Sequence, residues 1–341
     1  GSIYLIKPSK YWIGKVKIIR IRRRISLLNR LDIYPELFDT IREEKPDLIF
    51  LHGGQSLSLL VLKRYARKYS NTKLAVDFHA EYYNSARYIF SKLILHRIIW
   101  RTIINVSLPY ISSIYCISPS VAKMCNELYS IPKIRLQCLY LGTLPNCGLL
   151  QQRFEIRKRI RDELDISEDD LLLITGGKLN HDKRLDIIAN SLKKLDNKLI
   201  HLIIFGKEDP GEEGFAERIL REVPRVHIMG WCHPDRISRL YLASDLAVFP
   251  GGQSVLWQQA IETGLPALFR YWNGNDYLNI GNAVFLYSSN YMELVQWLNF
   301  FSLKDNRWIL GIMRKKALEL ANDGLCYMRQ AEKILRDNFQ I

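Results

Sequence analysis

Apolar residues along this chain follow two alternating patterns: short continuous runs of Val, Ile and Leu, and longer stretches where they recur every three or four positions. The first pattern reads as strands buried on both faces and the second as amphipathic helices, so their alternation predicts an α/β protein with parallel sheets. In the first half, the helix 35–45 leads to a strand over 47–52 and the helix 56–70 to a strand over 74–79. A long helical stretch over 85–108 precedes a strand over 113–118, and a helix over 119–129 precedes a strand near 135–140. In the second half, strands are expected at 171–175, 201–205, 226–229, 246–249 and 266–270. Helices are expected at 185–195 and 255–263, and from 292 to the end.

Gly142, Pro145, Asn146 and Gly148 interrupt both patterns, and a charged helix over 153–164 follows. The expected organisation is one Rossmann-like domain over 1–148, a second over 149–320, and a carboxyl-terminal helix over 321–341 that returns to the first. Two doubly wound domains facing each other across a cleft are the economical arrangement. Ligands of such sheets lie at the carboxyl ends of strands, beside helix N-termini.

A hydrophobic content of 48% and a charged content of 25% exclude a disordered, collagen-like or coiled-coil chain. Cysteines 116, 125, 138, 147, 232 and 326 form no CxxC pair, and read as reduced cytosolic thiols rather than zinc ligands. No apolar run reaches the roughly 18 residues of a membrane-spanning helix, no signal peptide opens the chain, and Gly1-Ser2 reads as a cloning scar. The net charge of +14 is unevenly placed: residues 1–150 hold 23 Lys plus Arg against 9 Asp plus Glu, and the remainder holds 26 of each. A basic first half points to an anionic partner, either nucleic acid or a membrane surface. No nucleic-acid module accompanies the charge, which favours the membrane.

Two stretches carry candidate chemistry. In the run from Gly176 to Lys183 a strand ends in two glycines, and Lys178 and Lys183 stand just ahead of an apolar-periodic helix. Small residues admit a ligand to the backbone, and two cations beside a helix N-terminus suit a diphosphate. An ordinary surface loop with lysines is the other reading. The stretch is not a Walker motif, and no GxGxxG is present. In the run from Asp245 to Pro266 a buried strand enters a Pro250-Gly251-Gly252 turn and then a helix that Ser254 is placed to cap. The amides of Val255 and Leu256 then begin that helix, and Glu262 lies two turns further on.

Together these stretches resemble the family-4 retaining glycosyltransferases, which have the GT-B fold. That family carries Gly-Arg-Leu with a Lys five residues after the Arg, a Val-x-x-x-Gly strand end, Ala-Asp-(apolar)-Pro-Ser, two glutamates eight apart, and Gly-x-Pro. Here the order is Gly177-Lys178-Leu179 with Lys183, Val226–Gly230, Ser244-Asp245 to Pro250, Ser254 and Glu262, then Gly264-Leu265-Pro266. The match covers about residues 171–270. The first half follows more loosely, through 45–52, Val76-Asp77-Phe78-His79 and Tyr115-Cys116-Ile117-Ser118.

The resemblance implies that Lys178 and Lys183 hold the diphosphate of a nucleotide-sugar donor and stabilise charge on the leaving group. It implies that Glu262 accepts bonds from the ribose, that the Val255 and Leu256 amides help bind phosphate, and that Gly177, Gly230 and Trp231 lie near the donor. His79 matches the family histidine that meets the donor sugar; a hydrogen-bonded core histidine is the alternative. It also implies no cofactor and no metal, in line with the lack of a DxD motif. The departures are Ser254, where the family has its sugar-contacting glutamate, and Lys178, which loses the forked geometry of arginine. Gln253 is positioned to replace part of the glutamate's hydrogen bonding. The first strand and glycine-rich loop of the family are not evident near the amino terminus.

The basic half adds Lys92, His96, Arg97 and Arg101 at helical spacing, which reads either as an interfacial helix with Trp100 near the lipid boundary or, equally, as a core helix whose polar stripe faces solvent. Six further cations lie between Lys15 and Arg24, and four between Lys63 and Lys68. The expected function is transfer of a sugar, with retention and without a metal, from a nucleotide diphosphate sugar to a lipid-linked or polysaccharide acceptor. Cell-surface glycan synthesis on the cytoplasmic side of the membrane, by a peripherally attached enzyme, is the expected setting. Two alternatives keep the fold: a catalytically weak protein that binds a nucleotide or a partner, and a nucleotide-sugar epimerase.

Overall fold

The computed structural model describes residues 8–27, 31–80, 91–143 and 147–339. The chain divides into two units, Gly1–Tyr140 with Ala331–Ile341, and Leu141–Gln330. The first limit falls before 148 because Thr143 belongs with the second unit: its N–H donates to the Leu325 carbonyl at 2.6 Å and its carbonyl accepts from Tyr327 at 3.0 Å.

The first unit opens with two antiparallel hairpins, β1 (Ser9–Ile13) with β2 (Val16–Arg20), and β3 (Ile25–Leu27) with β4 (Leu31–Ile33). They lie where the family's first strand was not evident, and they stand apart from the main sheet. That sheet is parallel and follows the chain: β5 (Leu48–Leu51), β6 (Lys73–Phe78), β7 (Ser113–Cys116) and β8 (Leu136–Cys138). Helices Ser58–Lys68 and Pro119–Tyr129 bury Leu59, Leu62, Val121, Met124 and Leu128 in one core with Leu74, Val76, Phe78 and Ile114. Ser118 caps the second of these helices by accepting from the Val121 amide at 3.1 Å, and Pro119 at its first position needs no such bond.

The long helical stretch departs from expectation. Residues 81–90 lie outside the described residues; Ser91–Trp100 is a π-helix and Arg101–Ser107 an α-helix. The buried face is His96, Trp100, Ile103, Ile104 and Ser107, so His96 and Trp100 belong to the apolar stripe that packs on the core, and Arg97 and Arg101 to the opposite one. His96 is buried, with Nδ1 2.7 Å from the Tyr129 hydroxyl, and Trp100 is only 2% exposed. Neither reaches an outer surface. Arg97 and Arg101 are exposed, as are Ile94 and Ile98, while the side chain of Lys92 is outside the described residues.

The last helix, Tyr327–Phe339, packs its later turns on the first unit. Ser113 Oγ donates to Asn338 Oδ1 at 3.1 Å, Tyr115 Oη donates to Asp337 at 2.8 Å, and Lys333 bonds Gln137.

The second unit is a six-stranded parallel sheet: β9 (Leu171–Leu179), β10 (Ile200–Glu208), β11 (Val226–Ile228), β12 (Leu246–Phe249), β13 (Ala267–Arg270) and β14 (Ala283–Leu286). The spatial order β11-β10-β9-β12-β13-β14 reverses between β9 and β12. β9 runs four residues past its expected end, because Gly176 to Leu179 stay paired with Phe205 to Glu208. At the opposite end of β12, Asp245 accepts from Arg157 Nη1 at 2.8 Å, Arg161 Nη1 at 3.3 Å and the Leu172 amide at 2.8 Å. Ser244 Oγ donates to the Leu240 carbonyl at 2.8 Å. The Ser244-Asp245 part of the motif therefore fastens the helix Arg153–Glu163 to the sheet and contributes nothing to a ligand site.

Candidate functional site

The two glycine-containing loops meet at the reversal of strand order. After β9 the chain makes a 3₁₀ turn, His181–Lys183, and enters the helix Leu185–Leu195. After β12 it passes Pro250 to Val255 and enters the helix Leu256–Glu262. Gly252 N–H donates to the Asp182 carbonyl at 2.8 Å, and Lys183 Nζ donates to the Gly252 carbonyl at 3.2 Å. Gly251 is required by this approach: a Cβ there would overlap the Asp182 carbonyl oxygen and the backbone of Lys183. Burial pushes the Lys183 ammonium below the ordinary lysine range, opposed by the nearby Asp182 carboxylate. A partly dehydrated cation held by one carbonyl is poised to take an anion.

The tips of β9 and β10 form the adjoining wall. Gly206 adopts φ +136° and crosses Gly177 so closely that a Cβ would overlap the Gly177 carbonyl. Its N–H donates to the Gly230 carbonyl at 2.7 Å, which ties in the loop after β11. A cavity of about 410 Å³ opens here, lined in part by Gly177, Lys178, Phe205, Gly206, Trp231 and Leu256. Trp231 stands exposed at its lip. Lys178 is 69% exposed and pairs with Asp209 at 2.8 Å, and the Lys178 and Asn180 hydrogen bonds hold the Asp209 carboxyl below its usual range.

The structure thus brings Gly177, Lys178, Trp231 and Leu256 to one cavity, with Gly230 and Lys183 beside it. It treats the second loop differently from expectation. Ser254 does not cap the helix with its side chain: Val255 holds the cap position with α backbone, and the Ser254 carbonyl accepts from Trp257 N–H at 3.0 Å. Ser254 Oγ is buried without a partner. Gln253 Nε2 donates to the Tyr277 hydroxyl at 3.1 Å. Glu262 ends the helix, half-buried, and is not among the cavity-lining residues. Sequence reasoning passed over Gln258, which is fully buried with both amide atoms unpartnered. Its spacing, four residues from both Ser254 and Glu262, was the available signal.

In the first unit His79 follows β6, and it is neither a lone core residue nor isolated. Asp77 Oδ2 lies 2.9 Å from His79 Nε2 and 2.9 Å from His52 Nδ1, while Asp77 Oδ1 accepts from Gly53 N–H at 2.7 Å. Burial alone would raise the Asp77 carboxyl, but the bonds from His79 and Gly53 outweigh it and hold the group below its usual range. With Asp77 ionised, both rings meet it as N–H donors. His52 and Asp77 stood inside sequence motifs without a role. The register Leu51↔Val76 makes them neighbours, since one step further places His52 beside Asp77.

Residues 170–296 match the family model of glycosyl transferases group 1. That span runs from β9 into the helix Tyr291–Ser302 and includes both loops. Similar solved structures extend the likeness over nearly the whole chain. HepE from Anabaena, in complex with UDP, is 14% identical over 90% of this chain and 81% of its own, with a TM-score of 0.67. A glycosyltransferase from Rickettsia africae is 14% identical over 89% of this chain and 79% of its own, with a TM-score of 0.68. Sucrose-phosphate synthase from Thermosynechococcus elongatus is 12% identical over 96% of this chain and 84% of its own, with a TM-score of 0.65. No curated protein matches the chain. At these identities the likeness is one of fold, and the fold is GT-B. Within it, the reversal of strand order in the second unit lies where open α/β sheets bind ligands. Among the described residues, no helix is long and apolar enough to cross a membrane.

Proposed function

We propose that this chain is a retaining glycosyltransferase that moves a sugar from a nucleotide diphosphate sugar to a lipid-linked or polysaccharide acceptor, using no metal ion in the transfer. The junction of the two loops carries this reading: Lys183, partly dehydrated and anchored on the Gly252 carbonyl, stands beside a cavity that Lys178 also lines. Two lysines neutralise a diphosphate directly, which is the work a divalent ion does in other transferases. HepE has been solved with UDP and with UDP-glucose, and the same class of donor suits this site. Trp231 and Gly230 flank the nucleoside, the Val255 and Leu256 amides meet phosphate, and Glu262 accepts from the ribose. His79 meets the donor sugar and assists as it departs. In a front-face mechanism the leaving phosphate takes the acceptor's proton.

The basic first unit supplies the acceptor half of this reading. Exposed Arg97 and Arg101 beside Ile94 and Ile98 fit attachment to anionic lipid on the cytoplasmic face of a membrane. Cell-surface glycan synthesis follows as the setting.

The purified chain, incubated with a panel of nucleotide sugars and with acceptor in vesicles that contain anionic lipid, is expected to release nucleoside diphosphate and to float with those vesicles. Nucleotide binding without release would reduce the protein to a binding module, a reading that the serine at 254 favours. Flotation independent of lipid charge would remove the membrane.

A further inference from the structure

The His52–Asp77–His79 cluster has a capacity that sugar transfer does not use. We propose that His52 Nδ1, Asp77 Oδ2 and His79 Nε2 bind a divalent transition ion of the zinc class, and that the bound ion restrains His79.

Three observations carry this. The first is convergence: both ring nitrogens approach one carboxylate oxygen at 2.9 Å, and the three atoms all lie within 4.8 Å of one another. A tetrahedral zinc ion bonded at about 2.0–2.2 Å holds its ligands about 3.3–3.6 Å apart, so replacing the two shared N–H···O contacts asks each ring to withdraw by only about 0.5 Å. The second is the donor set. Two imidazoles and one carboxylate suit zinc and its neighbours, whereas calcium and magnesium take oxygen ligands. Three protein donors also leave a coordination position open to water.

The third is support and access. Asp77 is only 7% exposed, sits on a strand paired on both sides, and has its other oxygen fixed by Gly53 N–H, as ligating carboxylates are usually held. His52 is 72% exposed, so an ion arrives from solvent without opening the fold. The basic surface of this unit repels cations at long range, but such repulsion is screened beyond about 8–10 Å at ordinary salt, and coordination acts at contact.

An ion at this place occupies His79 Nε2 and fixes the ring. If His79 acts on the donor sugar, zinc inhibits transfer; that consequence rests on the proposed function, whereas binding does not.

The test uses the full chain, stripped with chelator and titrated with zinc chloride against a chromophoric competitor, without any nucleotide. Wild type is expected to bind one zinc ion at this site, with magnesium failing to displace it. His52→Ala removes an exposed ligand and leaves the fold intact, which circular dichroism checks. It is expected to weaken zinc binding at least tenfold, a loss no smaller than that from removing an outer-shell partner. Cobalt(II) is expected to give visible d–d absorption in wild type that His52→Ala and His79→Ala lose. Equal zinc affinity in wild type and His52→Ala, or no binding by wild type, would overturn the proposal. Zinc binding without sugar transfer would refute the proposed function alone, and transfer without zinc binding would refute the ion site alone.

Discussion

The two units of this chain are parallel α/β sheets that assemble chemistry in different ways. In the second, the strand order reverses between β9 and β12, so right-handed crossovers send the two following helices to opposite faces and their loops part. The space between is framed largely by main chain: Gly206 and Gly251 are crossed closely by neighbouring backbone, Gly177 is crowded by the Leu256 side chain, and Lys183 is held by a carbonyl. In the first, β5 to β8 follow the chain without a reversal among the described strands. There the chemistry comes from side chains on adjacent strand ends, His52 after β5 and His79 after β6, joined through Asp77. A backbone cradle tolerates few substitutions in its frame, whereas a side-chain cluster is removed one residue at a time.

The strongest test of that contrast strikes the frame of the second unit. Asp245→Ala strips Arg157 and Arg161 of their buried carboxylate, leaving them the exposed Glu168 at 2.8 and 3.6 Å, and removes the carboxylate that offsets Arg314, which burial already holds down to about 9. Breaking a buried pair costs up to about 3–5 kcal/mol, and the remaining Glu168 contacts place the expected loss toward the lower end, to be read as a shift in the urea unfolding midpoint. A loss below about 1 kcal/mol would mean that this junction is no more demanding than a surface pair.

A smaller effect separates the two lysines. On the proposed donor site, Lys183→Ala is expected to weaken nucleoside diphosphate binding by about 1.5–3 kcal/mol while leaving the bare nucleoside nearly unaffected, measured by calorimetry. Lys178→Ala should cost less, because Lys178 is exposed and engaged with Asp209. Equal losses for the diphosphate and the bare nucleoside would place Lys183 outside the phosphate site.

The smallest effect lies at the base of the second unit. His201 and His227 stack with their nitrogens 3.3 Å apart, and burial lowers both below the ordinary 6.5. A lowered histidine binds fewer protons folded than unfolded, so its stabilisation is complete above 6.5 and declines as the pH falls below it. His227→Gln should therefore narrow the difference in Tm between pH 7.5 and pH 5, and an unchanged difference would show that the pair does not titrate with unfolding.

Much of the fold was legible because strands of a parallel sheet are buried on both faces and print unbroken apolar runs. Helices Pro119–Tyr129 and Leu185–Leu195 and strand Leu246–Phe249 lie where periodicity placed them. The amino-terminal hairpins escaped because their strands mix cations with apolar residues, while β14, as short and apolar as β12, lacks a following loop motif to single it out. Spacing alone left the stretch around His96 and Trp100 open between an interfacial and a core helix, and packing buries both side chains. Ser254 has the residue type and position of a cap, but the backbone begins the helix one residue later.

By itself, the sequence determined the alternation of strand and helix, the glycine and lysine content of both loops, and the confinement of the excess charge to residues 1–150. These are local properties, written in residue type and spacing. Only the tertiary structure decided that Lys183 meets Gly252, 69 residues away, and that His52 meets Asp77, 25 away. Such meetings depend on which strands become neighbours and where their order reverses, and strand order is settled by packing the whole sheet.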